Sequence, residues 1–202
     1  MAINFRDLIL DFGTDTPKEN KPKVAATLEN IVGLIYDCDD SGPWIAGGCG
    51  RQVALGETKF NDIDVWFKNV FQFERTKDRL NDAFGYEMYE TYNSENATTY
   101  QIGDYKVQLI RRAYYASVDE VFENFDFTCC QIALDRNLQP YGPGLEDAGS
   151  SRLVLNKYDP KAFLARYAKY VGYGYVMDPE EFLKIIERKD INYEFDGSVF
   201  GY

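Results

Sequence analysis

Two hydrophobic periods alternate along this chain and divide it into helices and strands. In residues 23–36, Val24, Leu28, Ile31, Val32, Leu34 and Ile35 recur at helical spacing, which predicts an amphipathic helix. An acidic stretch, Asp37-Cys38-Asp39-Asp40, and Gly42-Pro43 end it; without the length and glycine placement of an EF-hand loop, it reads as a solvated turn. The apolar run Trp44-Ile45-Ala46 leads straight into Gly47-Gly48, predicting a short buried strand, a tight turn and a helix opening at Cys49 or Gly50. Asp62-Ile63-Asp64-Val65 has a period of two, which on a strand sets both carboxylates on one face and both apolar residues on the other. Residues 69–84 predict a helix stopped by Gly85. Three strands are expected at 86–92, 97–102 and 105–111, with Gly103-Asp104 as the hairpin between the last two.

Ser117 and Glu120 have the spacing of a capping box, so a helix is expected over 117–125. Cys129 and Cys130 are expected on opposite faces of a strand, residues 138–151 as a loop, and 152–156 as a short strand. Asp159-Pro160 opens a helix that ends near Gly172, and Pro179 opens another. A short apolar patch at 5–10 and a polar stretch begin the chain. The expected fold is α/β (α+β), a small mixed sheet flanked by helices over residues 1–157, with a helical appendage over 158–202.

Composition narrows the chemistry. With 45% apolar residues, including 14 Phe and 16 Tyr, the 202-residue chain can bury a sizeable core. A formal charge of −11 opposes a grip on long nucleic acid over the whole surface. There is no histidine, which excludes His-based general bases and His metal sites. Cys38, Cys49, Cys129 and Cys130 have no C-x-x-C spacing and read as buried small hydrophobes. No signal peptide or membrane-length apolar run is present, so a cytoplasmic location is expected.

The candidate chemistry lies between Gly47 and Asp64. A glycine turn at a helix N-terminus lets phosphate approach the backbone N–H groups, and paired carboxylates suit Mg²⁺, a hard cation that bridges to substrate phosphates. Arg51 either reinforces a phosphate grip or pairs with a core acid, and Lys59 is a further phosphate candidate.

Gly47-Gly48-Cys49-Gly50-Arg51 through Leu55-Gly56 to Asp62-Ile63-Asp64 resembles the polymerase-β-type nucleotidyltransferase superfamily. More narrowly it is similar to the head of tRNA nucleotidyltransferases and bacterial poly(A) polymerases, and to small nucleotidyltransferase-like proteins of phages and large DNA viruses. The resemblance implies Mg²⁺-dependent transfer of a nucleoside monophosphate from an NTP to a hydroxyl of an RNA, protein or small molecule. It assigns the metal to Asp62 and Asp64 and the triphosphate to Gly47 and Gly48, and, if the chain is viral, places it in the host cytoplasm. The superfamily's third carboxylate position is occupied here by Gln108, which hydrogen-bonds but brings no charge.

Asp126-Phe127-Thr128 resembles the end of the Arg-Arg-Asp-Phe-Thr motif of tRNA nucleotidyltransferases, with Asn124 and Phe125 in place of the paired arginines. Asp126 is a candidate for ribose binding or a compensating metal contact, or alternatively caps a backbone turn. Residues 152–177 hold Arg152, Lys157, Lys161, Arg166 and Lys169 among tyrosines: either a local site for tRNA or other RNA, or a helix packed through its aromatics. A nucleotide-binding or interaction module without catalysis is the alternative to the enzyme.

Overall fold

The computed structural model describes residues 24–36, 41–57 and 62–187. The expected features at 5–10 and 37–40, Lys59, Cys38 and positions 188–202 lie outside them. In chain order the elements are α1 (Leu28–Tyr36), β1 (Trp44–Ala46), α2 (Gly48–Ala54), β2 (Ile63–Trp66), α3 (Val70–Phe84), β3 (Met88–Asn93), β4 (Ala97–Ile102) and β5 (Tyr105–Ile110). They continue with α4 (Val118–Phe122), β6 (Ala133–Leu134), β7 (Pro140–Tyr141), α5 (Leu145–Gly149), α6 (Phe163–Gly172) and α7 (Pro179–Ile186).

The strands form one mixed sheet in the order β3-β4-β5-β2-β1-β6-β7. β2 and β5 pair in parallel; the other neighbours are antiparallel. Period-two alternation assigns the faces. Ile45, Ile63, Val65, Val107 and Leu109 pack with Leu28, Ile31 and Ile35 of α1 and with Phe73, Leu80 and Phe84 of α3. Each such side chain, fully buried, contributes about 1.5–3 kcal/mol. Trp44, Ala46 and Trp66 point the other way, into a smaller cluster with Val121 and Phe122 of α4. The third cluster joins Phe127, Cys129, Cys130 and Ile132 to Phe163 of α6, to Met177 before α7 and to Ile185 of α7. The second face of the sheet is therefore covered only in part, and its open part carries Asp64.

Local chemistry sets the element ends. The Asn69 side chain accepts from Gln72 N at 3.0 Å and caps α3, and Gly85 at φ 55° stops it. Ser117 caps α4 by accepting from Glu120 N; the Glu120 carboxylate reaches back to Ala116 N at 2.7 Å. Asp178 accepts from Glu180 N and Glu181 N, with Pro179 as first residue of α7.

Four local expectations are corrected. Cys129 and Cys130 lie in a 3₁₀ turn, Thr128–Cys130, not on a strand. The turn is closed by Cys130 N to Phe127 O and Gln131 N to Thr128 O, and both thiols stay buried. The 138–151 loop contains β7 and α5; its glycines and prolines mark the junctions around these short pieces rather than one continuous loop. Residues 152–156 make only isolated bridges, Arg152 to Val176 and Phe127 to Leu155. α6 starts at Phe163 because Asp159 first closes a turn, its side chain accepting from Lys161 N and its carbonyl from Ala162 N.

Gly50 sets the separation between α2 and the chain leading into β6. A Cβ there would sit 2.4 Å from the carbonyl oxygen of Ile132, whereas one at Gly48 meets nothing within 4 Å. Gly50→Ala is expected to lower stability by about 1–3 kcal/mol through overpacking. Gly48→Ala should change it by no more than about 0.5 kcal/mol, as at an open surface position. Urea denaturation of both variants checks the contrast.

Candidate functional site

The uncovered part of the sheet is the floor of a cleft of about 680 Å³, lined by β2, β5, the β3–β4 turn, the start of α2 and one side of α6. Asp62, Asp64 and Trp66 line it together, as residues two apart on one strand must. Asp64 lies opposite Gln108 in the parallel β2–β5 register, and Gln108 opposite Thr99. The Gln108 amide donates to Thr99 Oγ1 at 3.3 Å.

Asp64 is the most perturbed acid of the cleft. Its Oδ1 is shut off from solvent and has no hydrogen-bond partner. Burial, and after it the charge of Asp62, pushes its pKa up from 3.8 to about 7; Lys169, Arg112 and Lys106 pull the other way. Asp62 is held by Lys106 at 3.2 Å. Two crowded carboxylates, one with an orphaned oxygen, are a donor set that a hard divalent cation relieves on both counts. Among the described residues no third acid joins them into a three-ligand cluster.

The glycines divide the work. Gly47 has φ 106°, donates to Ile132 O at 2.9 Å, and would drive a Cβ to 3.0 Å from the Phe125 ring. Gly48 opens α2 at the cleft wall with free space above it. Arg51 also lines the cleft, yet it is only 6% exposed. Its guanidinium lies 5.8, 5.2 and 5.6 Å from the rings of Tyr170, Tyr173 and Tyr175. An aromatic cage therefore holds Arg51; of its two alternatives, the ion pair with a core acid is not formed among the described residues, and its Nε has no hydrogen-bond partner.

Asp126 lines the same cleft, but its carboxylate is taken by Arg166 of α6. Of its two alternatives, the turn cap is not what its side chain does among the described residues; its backbone carbonyl accepts from Asn156 N and Lys157 N. The basic run of 152–177 is split. Arg152 turns to Asp147 and Lys157 to Asn124, while Arg166 and Lys169 reach the cleft wall. Lys59 lies outside the described residues. Sequence reading missed Tyr92, Ser94 and Asn96 at the rim and Arg112, whose guanidinium stands 5.5 Å from the Trp66 ring. The β3–β4 hairpin is local, but the parallel β2–β5 pairing that brings it to the cleft is a long-range fact with no local signal.

Comparison with known proteins places these features. A family model described as "Gad2: Gabija anti-defense 2 family protein" matches residues 20–141. "Gabija anti-defense 2" of Bacillus phage SPbetaL7 is 26% identical over 148 residues, 70% of this chain and 36% of that protein. Among solved structures, a tRNA-processing enzyme in an apo form has a TM-score of 0.58 at 22% identity, covering 81% of this chain and 48% of that one. The Bacillus stearothermophilus CCA-adding enzyme in complex with CTP has a TM-score of 0.52 at 14% identity, covering 75% and 40%. The Thermotoga maritima CCA-adding enzyme complexed with tRNA has 0.54 at 15%, covering 77% and 40%. The chain spans less than half the length of each of these relatives. At these identities the likeness is one of fold, a nucleotidyltransferase-like mixed sheet with helices.

The Asp64 environment makes stability depend on pH. Folded Asp64 keeps its proton up to about pH 7, whereas the unfolded chain releases it near 3.8. Stability is therefore lost as pH rises through that window. Asp64→Asn should be more stable than wild type at pH 8 by on the order of a few kcal/mol, with the difference vanishing near pH 4. Urea midpoints across this range measure it.

Proposed function

The chain belongs to the Gabija anti-defense 2 family, and on that premise we propose that it is a Mg²⁺-dependent nucleotidyltransferase, its transfer reaction serving an anti-defense role. The observation that carries this reading is the buried, unpartnered Oδ1 of Asp64 beside Asp62, on the floor of a cleft with cations on its wall. The donor is an NTP.

Asp62 and Asp64 would hold Mg²⁺, which when bound offsets charge on the triphosphate and favours departure of pyrophosphate. Gly48, with open space above it at the start of α2, leaves room for phosphate oxygens against the backbone, and Gly47 keeps the turn that makes that room. Arg51, Arg166 and Lys169 supply positive charge on the same side of the cleft. Asp126 acts through Arg166, fixing the guanidinium at the wall. The acceptor hydroxyl attacks the α-phosphorus, and the bond from that phosphorus to the pyrophosphate oxygen breaks.

Two observations favour a second reading, a nucleotide-binding module without transfer. Lys106 already neutralises Asp62, and the neighbour of Asp64 in register is the uncharged Gln108. Both readings bind NTP; only the first moves label.

The test is incubation of the purified chain with each α-labelled NTP and Mg²⁺, with tRNA, total RNA and a bacterial lysate as acceptors. Transfer is expected in wild type and background in Asp62→Asn and Asp64→Asn. Gln108→Glu should match or exceed wild type, since it restores a third carboxylate. NTP with Mg²⁺ should stabilise wild type by about 2.7 kcal/mol at a hundredfold excess over Kd. Stabilisation without label in any acceptor selects the binding module, and neither effect removes both readings.

A further inference from the structure

The two sides of the cleft differ in charge, and the difference points to the acceptor. The α2 and α6 side carries Arg51, Arg166 and Lys169 against one acid, Asp126, which pairs with Arg166; the sheet side sets Lys106 and Arg112 against Asp62 and Asp64. On the sheet side a row of paired residues runs from the outer edge to Asp64: Tyr92 opposite Thr99, Thr99 opposite Gln108, Gln108 opposite Asp64, with Thr99 itself buried under the floor. The row crosses three strand spacings, about 14 Å. Before Asp64, every member is neutral and carries a hydroxyl or an amide. Of the cations near this lane, Lys106 pairs with Asp62 and Arg111 donates to Ser94 O and Asn93, while Arg112 lies over the Trp66 ring. An incoming RNA end would bring a phosphate with each nucleotide and meet no positive charge among Tyr92, Thr99 and Gln108.

The strand and turn at the end of the row are acidic in sequence. Residues 86–96 contain Glu87, Glu90 and Glu95 and no Lys or Arg. β3 is the outer strand of the sheet among the described residues, with Tyr86, Tyr89 and Tyr92 more than half exposed beside it. An open strand edge offers main-chain hydrogen bonds to an extended polypeptide, and its charge selects a basic one.

We propose that the acceptor is a Ser, Thr or Tyr hydroxyl of a basic polypeptide segment, which docks along the β3 edge and enters over Tyr92, Ser94 and Asn96. This rests on the nucleotidyl-transfer reading above and names its acceptor class. The side-chain oxygen forms a bond to the α-phosphorus, pyrophosphate leaves with the electrons of the broken P–O bond, and the hydroxyl proton passes to water. The product is a protein carrying a nucleoside monophosphate in phosphodiester linkage.

The experiment uses the full chain with α-labelled NTP, Mg²⁺ and a bacterial lysate, the products being split between RNase and protease digestion. Label that resists RNase and is lost to protease is expected on lysate proteins. The double variant Glu90→Lys with Glu95→Lys should lower it roughly tenfold, as reversal of rim charges weakens encounter, while NTP-dependent stabilisation of the chain stays at the wild-type level. RNase-sensitive label, label confined to the chain itself, or protein label unchanged in the double variant overturns the acceptor assignment and leaves transfer standing. No label in any fraction overturns the transfer reading and this inference with it.

Discussion

The site depends on the alternation of one four-residue strand. Ile63 and Val65 are at most 1% exposed beneath α1 and α3, and that burial forces Asp64 and Trp66 onto the opposite face. A one-residue slip of β2 would put a carboxylate into the apolar core and two aliphatic side chains into the cleft. The cost of either change keeps the register, so the same interaction that builds the core aims the acid. Asp64 is thus held where its charge is poorly solvated by packing it takes no part in. Its raised pKa is the local expense of that arrangement.

Much of this was readable from residue order. The Gly-Gly turn, the acid-apolar alternation, the hairpin at Gly103 and the caps at Ser117 and Pro179 are local signals, and local physics realises them. The fold class was legible for the same reason, since a helix, an alternating strand and a run of hairpin strands admit few packings. What was not legible is non-local. The 3₁₀ turn at Cys129 exists because Thr128 bonds to Val154 and Asp147, partners about twenty residues or more away. Asp126 and Arg166 are forty residues apart and meet only when α6 docks.

The same limit explains Arg51. Its place four residues after Gly47 suggested a phosphate ligand or an ion pair, and three tyrosines more than a hundred residues further on surround its guanidinium. Burying a guanidinium without a carboxylate is costly unless π faces and hydroxyls substitute for water. The tyrosines that looked like a stacking surface for bases are in part committed to this cation. The two sequence alternatives for the 152–177 run, ligand contact and packing, both describe part of it: Arg166 and Lys169 reach the cleft, while Tyr170 and Tyr175 are packed.

The cage around Arg51 has a thermodynamic consequence. Its guanidinium belongs to α2, and the rings that hold it come from α6 and the turn after it, so one cation ties the wall of the cleft to the C-terminal helices. Any anion that draws Arg51 from the cleft side competes with those rings. The free energy of docking α6 and the free energy of anion binding then share a common term, and by reciprocity each alters the other by the same amount. In such an arrangement a substitution at Tyr173 is felt as a change in affinity, and a ligand is felt as a change in the hold on a helix.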